Sequence, residues 1–171
     1  MILFRIIHNN YVDTWADIER TASYRKGARW NSAGVPAFYA ALNPQSAMLE
    51  VANYVASPKL ANQTHTLAVF EVPSSLRLHY LTPTELPKEW YAASKPDTVK
   101  ACGDKYLTKM SCHGIVVPSV TVNEAIAMHG SNAIREPSYA NVVLNTEHVG
   151  IDNIKLIDTY TPIYAQAMFT P

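Results

Sequence analysis

The sequence predicts an α+β fold, and three observations carry that expectation. Short β-rich runs recur along the whole 171-residue chain, they outnumber the helical segments, and the two kinds do not alternate as a doubly wound sheet requires. At 48% hydrophobic residues, the chain is long enough for a single domain, 1–171, with a sizeable core.

The elements follow in order. "ILFRII" (2–7) reads as a strand, its short apolar run broken by Arg5. "WADIERTA" (15–22) is predicted as a helix, and "AFYAA" (37–41) as a strand. The clearest helix begins at Asn43, a good N-cap, with Pro44 at the first helical position. It is expected to run through "QSAMLEVANYVA" until Ser57 and Pro58 stop it. "THTLAVFEV" (64–72) and "LRLHYL" (76–81) are strands. From Pro96 to about Met110, Val99, Cys102, Tyr106 and Leu107 recur at helical spacing. "GIVVPSV" (114–120), "NVVLN" (141–145) and "IKLIDTY" (154–160) complete the strands. Between "GIVVPSV" and "NVVLN" lies "NEAIAMHGSNAIREPSYA" (123–140), too long for a hairpin loop and without a clear period. It reads as an insertion, either a lid, a partner-binding loop or a flap.

Charge and composition exclude several classes. Lys plus Arg and Asp plus Glu both number 14, so no general field draws in nucleic acid or an anionic membrane. An anionic ligand must be held locally. No stretch approaches the roughly 18 apolar residues of a membrane span, and a cytoplasmic protein is expected. Two cysteines, Cys102 and Cys112, read as reduced thiols. Cys112 and His113 lack the further ligands that a zinc site needs, so no metal is expected. No dinucleotide-binding glycine motif, P-loop or nucleophile elbow is present.

Four residues stand out against this background. Arg29, in "KGARWN", follows a glycine-containing turn, and its guanidinium suits a diphosphate. Glu50 forms a polar stripe with Ser46 and Asn53 on an otherwise apolar helix. Tyr39 lies within the strand "AFYAA", and Ser119 follows Pro118 at the end of a β-branched run. Each has a plainer reading taken alone: a surface arginine packed on Trp30 or Tyr24, a solvent-facing stripe, a core aromatic, and a strand-end hydroxyl.

The order and wording of the pieces carry further. "GARWNSAGVPAFYAALNPQSAMLEV", "LRLHYL", "LPKEWY", "GDKYL", "VVPSV" and "NVVLNTEH" resemble, in that order, the RES domain family. These are the toxin halves of bacterial Xre/RES toxin–antitoxin pairs, named for an Arg, a Glu and a Ser that fall on Arg29, Glu50 and Ser119. The resemblance runs from about Phe4 to about Ile163. The chain departs from the family pattern at Ala28, where a second glycine is expected, and at the 123–140 insertion.

The resemblance implies a fold similar to ADP-ribosyltransferases of the diphtheria-toxin type and an activity that consumes NAD+ and arrests growth. Cleaving the nicotinamide–ribose bond develops positive charge on the ribose, which a carboxylate near its 2′-hydroxyl stabilises. On this reading Glu50 and Arg29 supply the charges. Tyr39 stacks on nicotinamide or ribose with Tyr24 as helper, and Ser119 bonds the ribose or orients Glu50. The acceptor, whether water, phosphate or a protein side chain, stays open, as does a binding module without turnover. A helix-turn-helix antitoxin of the Xre type is the expected partner, with a toxin homodimer inside the complex. Trp90, Tyr91 and Tyr139 are candidate contacts.

Overall fold

The computed structural model describes residues 1–52, 54–55, 57–121 and 139–165. Among the described residues, seven strands form one mixed sheet: β1 (Ile2–His8), β2 (Ala37–Ala41), β3 (His65–Glu71), β4 (Leu78–Tyr80), β5 (Gly114–Val117), β6 (Asn141–Asn145) and β7 (Lys155–Tyr160). Their order across the sheet is β4-β5-β6-β2-β1-β3-β7. Only β4 and β5 run parallel; every other neighbouring pair is antiparallel. Five α-helices accompany them among the described residues: α1 (Ala22–Lys26), α2 (Pro44–Ala52), α3 (Pro58–Thr64), α4 (Asp97–Leu107) and α5 (Thr146–Val149). The α+β expectation holds.

The sheet is nearly divided in two. β1 and β3 share seven paired positions and β2 and β6 share five, whereas β1 and β2 meet only at Phe4 and Ala41. A cleft opens where that ladder fails. α2 covers it, seating Ala47 on Ile6 and Ala41, with Phe4, Met48, Val51 and Leu67 around them. On the other face Leu3, Ile7, Phe38, Phe70 and the wholly buried β5 and β6 residues form the main core. Trp15, Phe38 and Phe70 meet edge to face there, with centroids 4.8 to 5.8 Å apart.

Local chemistry explains the helix ends. Asn43 caps α2, its Oδ1 accepting the Ser46 N–H at 2.8 Å. α2 ends at Ala52; Asn53 and Ala56, which were expected to continue it, lie outside the described residues. Ser57 and Pro58 do not merely stop one helix but start another. Ser57 accepts the Leu60 N–H at 3.2 Å and Pro58 takes the first helical position of α3. The helix expected over 15–22 is replaced by a 3₁₀ turn at Ile18–Arg20 and by α1. Thr21 explains the break, since its side chain accepts the Tyr24 N–H and so caps α1 one residue before Ala22. Of the proposed insertion at 123–140, only Tyr139 and Ala140 are described.

Candidate functional site

The loop between α1 and β2 is built to hold still. Gly27, at φ +74°, turns the chain where an added Cβ would meet the Asn31 carbonyl oxygen at 2.7 Å. Asn31 is completely buried. Its Nδ2 donates to the carbonyls of Ser23, Ser32 and Val35, and its Oδ1 accepts the Tyr39 hydroxyl proton at 2.7 Å. The same Tyr39 oxygen accepts the Trp30 N–H at 3.1 Å. Asp104, on α4, accepts the Ser32 N–H with both carboxylate oxygens. Burial pushes the Tyr39 phenol well above its ordinary pKa, so it stays protonated and keeps donating to Asn31.

Arg29 leaves this clamped loop and enters the cleft. Its Nη1 donates to the carbonyls of Trp90 and Ala92 at 2.6 and 2.8 Å. Those two bonds use both Nη1 protons, leaving Nε and Nη2 as a fork for a ligand. Burial lowers the Arg29 pKa, with Tyr54, Glu50 and Tyr39 opposing that shift.

Glu50 reaches the same cleft from α2. Its Oε1 accepts the Ser119 hydroxyl at 2.6 Å and the Asn141 amide at 2.7 Å, while Oε2 has no partner among the described residues. Ser119 is itself buried and held by Thr121, whose N–H it accepts at 3.1 Å. Arg29, Tyr39, Glu50 and Asn141 all line one cavity of about 250 Å³. Ser119 stands directly behind Glu50.

The charges of that cavity are unequal. Among the described residues, Arg5, Arg29 and Lys95 line it as cations and Glu50 is its one carboxylate. A chain of zero formal charge thus concentrates positive charge where the sheet divides. Arg5 is the least compensated of the three. Its guanidinium lies 5.0 Å above the Phe38 ring, and it has no hydrogen bond or ion pair among the described residues. Burial pulls its pKa down to about 10, which leaves it charged at neutral pH. A desolvated cation without an acid is costly, and an anionic ligand offsets that cost. Arg5 and Ile6 also line a neighbouring cavity of about 710 Å³, so the two spaces adjoin along β1.

The model of the RES domain matches residues 2–162. The chain belongs to the RES domain family. It is 29% identical over 164 residues to a protein named Toxin Res from Pseudomonas putida, an alignment covering 95% of this chain and 97% of that relative. It is 27% identical over 149 residues to a protein of the same name from Yersinia enterocolitica, covering 86% of each chain.

In this RES domain Glu50 and Ser119, 69 residues apart in sequence, are hydrogen-bonded, and Arg29 lines the same cavity as Glu50. Tyr39 joins them. Tyr24 does not: it sits on α1 and lines a separate cavity with Glu19, Arg20 and Glu147. Trp90 and Tyr139 are 1% exposed and belong to the core, so neither offers an open contact surface; Tyr91 is exposed. Asn53, expected on the Glu50 stripe, lies outside the described residues. Arg5, Lys95 and Asn141 were not anticipated. Arg5 alone left a trace, as a cation interrupting an otherwise apolar strand.

Proposed function

We propose that this protein is the toxin of a toxin–antitoxin pair and that it consumes NAD+ by cleaving the nicotinamide–ribose bond. The observation that carries the reading is the pairing, across one cleft, of a carboxylate that has one oxygen without a partner among the described residues and cations that have no ion pair among them. Glu50 Oε2 would accept the ribose 2′-hydroxyl and stabilise the oxocarbenium charge as nicotinamide departs. Arg29, through Nε and Nη2, would take the pyrophosphate. Tyr39 lines the cavity where the ribose and nicotinamide would lie, and its locked hydroxyl fixes its ring. Ser119 and Asn141 hold the glutamate in one orientation, which lowers the reorganisation needed at the transition state.

The relatives named Toxin Res support the toxin reading, and the separation of charges supports a dinucleotide rather than a neutral ligand. A toxin that drains NAD+ must be silenced in its own cell, so a helix-turn-helix antitoxin of the Xre type that occludes the cleft belongs to the proposal. So does a homodimer inside that complex. Mass spectrometry of NAD+ incubated with the chain, with and without phosphate and with candidate proteins, tests the reading and names the acceptor. Free ADP-ribose identifies water, ADP-ribose phosphate identifies phosphorolysis, and a mass addition on a protein identifies transfer. Intact NAD+ in all three mixtures contradicts the enzyme and leaves a nucleotide-binding module.

A further inference from the structure

A second concave site lies on the far side of α4, away from the loop that Asp104 holds. Arg77, His79, Tyr106, Lys109 and Ser111 line a cavity of about 400 Å³ with no carboxylate in its wall among the described residues. Its parts are fixed in place. The Tyr106 ring is stacked on His79, with centroids 4.0 Å apart and planes 11° from parallel. The Tyr106 hydroxyl donates to Glu85 Oε1 at 2.5 Å. The ammonium groups of Lys109 and Lys105 lie 5.3 and 5.1 Å from the same ring centroid. Arg77 is anchored by its Nε, which donates to the Ser111 carbonyl at 2.8 Å.

The nearest acid is already spent. Glu85 also accepts the Thr82 N–H and hydroxyl, each at 2.7 Å, and the His79 Nε2 proton at 3.0 Å. The donors in its wall are Arg77 Nη1, Lys109 Nζ and the Ser111 hydroxyl, while His79, whose Nε2 proton goes to Glu85, presents Nδ1 as an acceptor. None of these has a hydrogen-bond partner among the described residues. Three donors from two segments, Arg77 on one and Lys109 with Ser111 on the other, two of them cationic and with no anion among the described residues to satisfy them, match a tetrahedral oxyanion.

From this geometry we infer that the Arg77–Lys109 cavity is a second anion site, one that binds a phosphate group, free or carried as a monoester. It is separate from the Glu50 cleft and shares no lining residue with it.

Titration calorimetry of the full chain with inorganic phosphate, and separately with adenosine 5′-monophosphate, tests the inference. Saturable phosphate binding is expected in the parent chain. Lys109→Gln, an exposed substitution that leaves the core untouched, is expected to weaken it about tenfold, and Arg77→Gln by at least as much. Lys95→Gln, in the other cleft, is expected to leave it unchanged. Tighter binding of the nucleotide identifies a phosphate monoester as the ligand, and equal or weaker binding identifies free phosphate. Absence of binding by both anions overturns the inference. So does phosphate affinity that falls in Lys95→Gln and persists in Lys109→Gln, because binding then belongs to the Glu50 cleft.

Discussion

Ser119 donates its hydroxyl proton to Glu50 Oε1 across 2.6 Å, and Asn141 donates to the same oxygen across 2.7 Å, so the carboxylate has one tethered face and one open face. The tether comes from β6 and from the end of β5, while Glu50 rides on α2. One side chain therefore joins the helix to the sheet at the place where the sheet divides.

Asn141→Asp tests that tether electrostatically. It replaces a donor with a second carboxylate 2.7 Å from Glu50, and like charges at that distance raise one of the pair. The pair then reaches its fully ionised form only at higher pH. The acid limb of the pH–rate profile for NAD+ consumption is expected to move upward by about one unit or more. An unmoved limb would show that Asn141 does not share the charge.

Arg29→Ala removes both a cleft cation and the two hydrogen bonds that hold the Trp90–Ala92 backbone. Loss of NAD+ consumption and relief of growth arrest are expected. Arg29→Lys is expected to rescue poorly, because an ammonium cannot bond two carbonyls and still present a fork. Growth curves under verified expression measure this, and full toxicity of Arg29→Ala would remove the residue from the site.

Gly103 lets α4 touch the Arg29 loop. A Cβ there would stand 1.9 Å from the Trp30 carbonyl oxygen, and that oxygen is backbone and cannot swing away. Alanine ordinarily strengthens a helix interior, but here Gly103→Ala is expected to destabilise the fold by about 2 to 3 kcal/mol through overpacking. A thermal melt lowered by several degrees is the expected reading. A melt at or above that of the parent chain would mean that the helix and the loop are not in contact.

Glu85 makes stability depend on pH. Burial alone would raise its pKa, but hydrogen bonds from Tyr106, Thr82 and His79 outweigh that and bring it from 4.5 down to about 2. A folded-state pKa below the unfolded one stabilises the protein above the unfolded value, and the gain is lost as pH falls towards the folded value. The gap in melting temperature between the parent chain and Glu85→Gln is therefore expected to be full at neutral pH. It should shrink between pH 4.5 and about 2. A gap independent of pH would contradict the network.

The strands were legible because their runs are long, apolar and bounded by turn residues, and the register of "AFYAA" and "NVVLN" needed only Ala37–Ala41 and Asn141–Asn145 to pair in full. α3 was present in the sequence as Ser57–Pro58, but the pair was read as an end rather than as a cap and first turn. The Glu50–Ser119 contact was anticipated through the family resemblance. Asn141 was not, because nothing local distinguishes a strand-end asparagine that reaches across 91 residues from one that faces water. Arg5 carried a signal in its composition, yet its lack of an acidic partner is a property of the surroundings. Trp90 is a candidate contact by sequence, and in the fold it is 1% exposed. Its side chain is part of the main core, and Arg29 bonds the carbonyls of Trp90 and Ala92.

The most direct measurement is release of free nicotinamide from NAD+ by the parent chain and by Glu50→Gln, with NAD+ binding followed in parallel. The substitution keeps the shape of the side chain and removes its charge. Charge stabilisation of this kind is commonly worth about 3 to 4 kcal/mol, so the account predicts clear release by the parent chain and a loss of about a few hundredfold in Glu50→Gln, with binding retained. No nicotinamide from the parent chain, or equal rates from both, would contradict it.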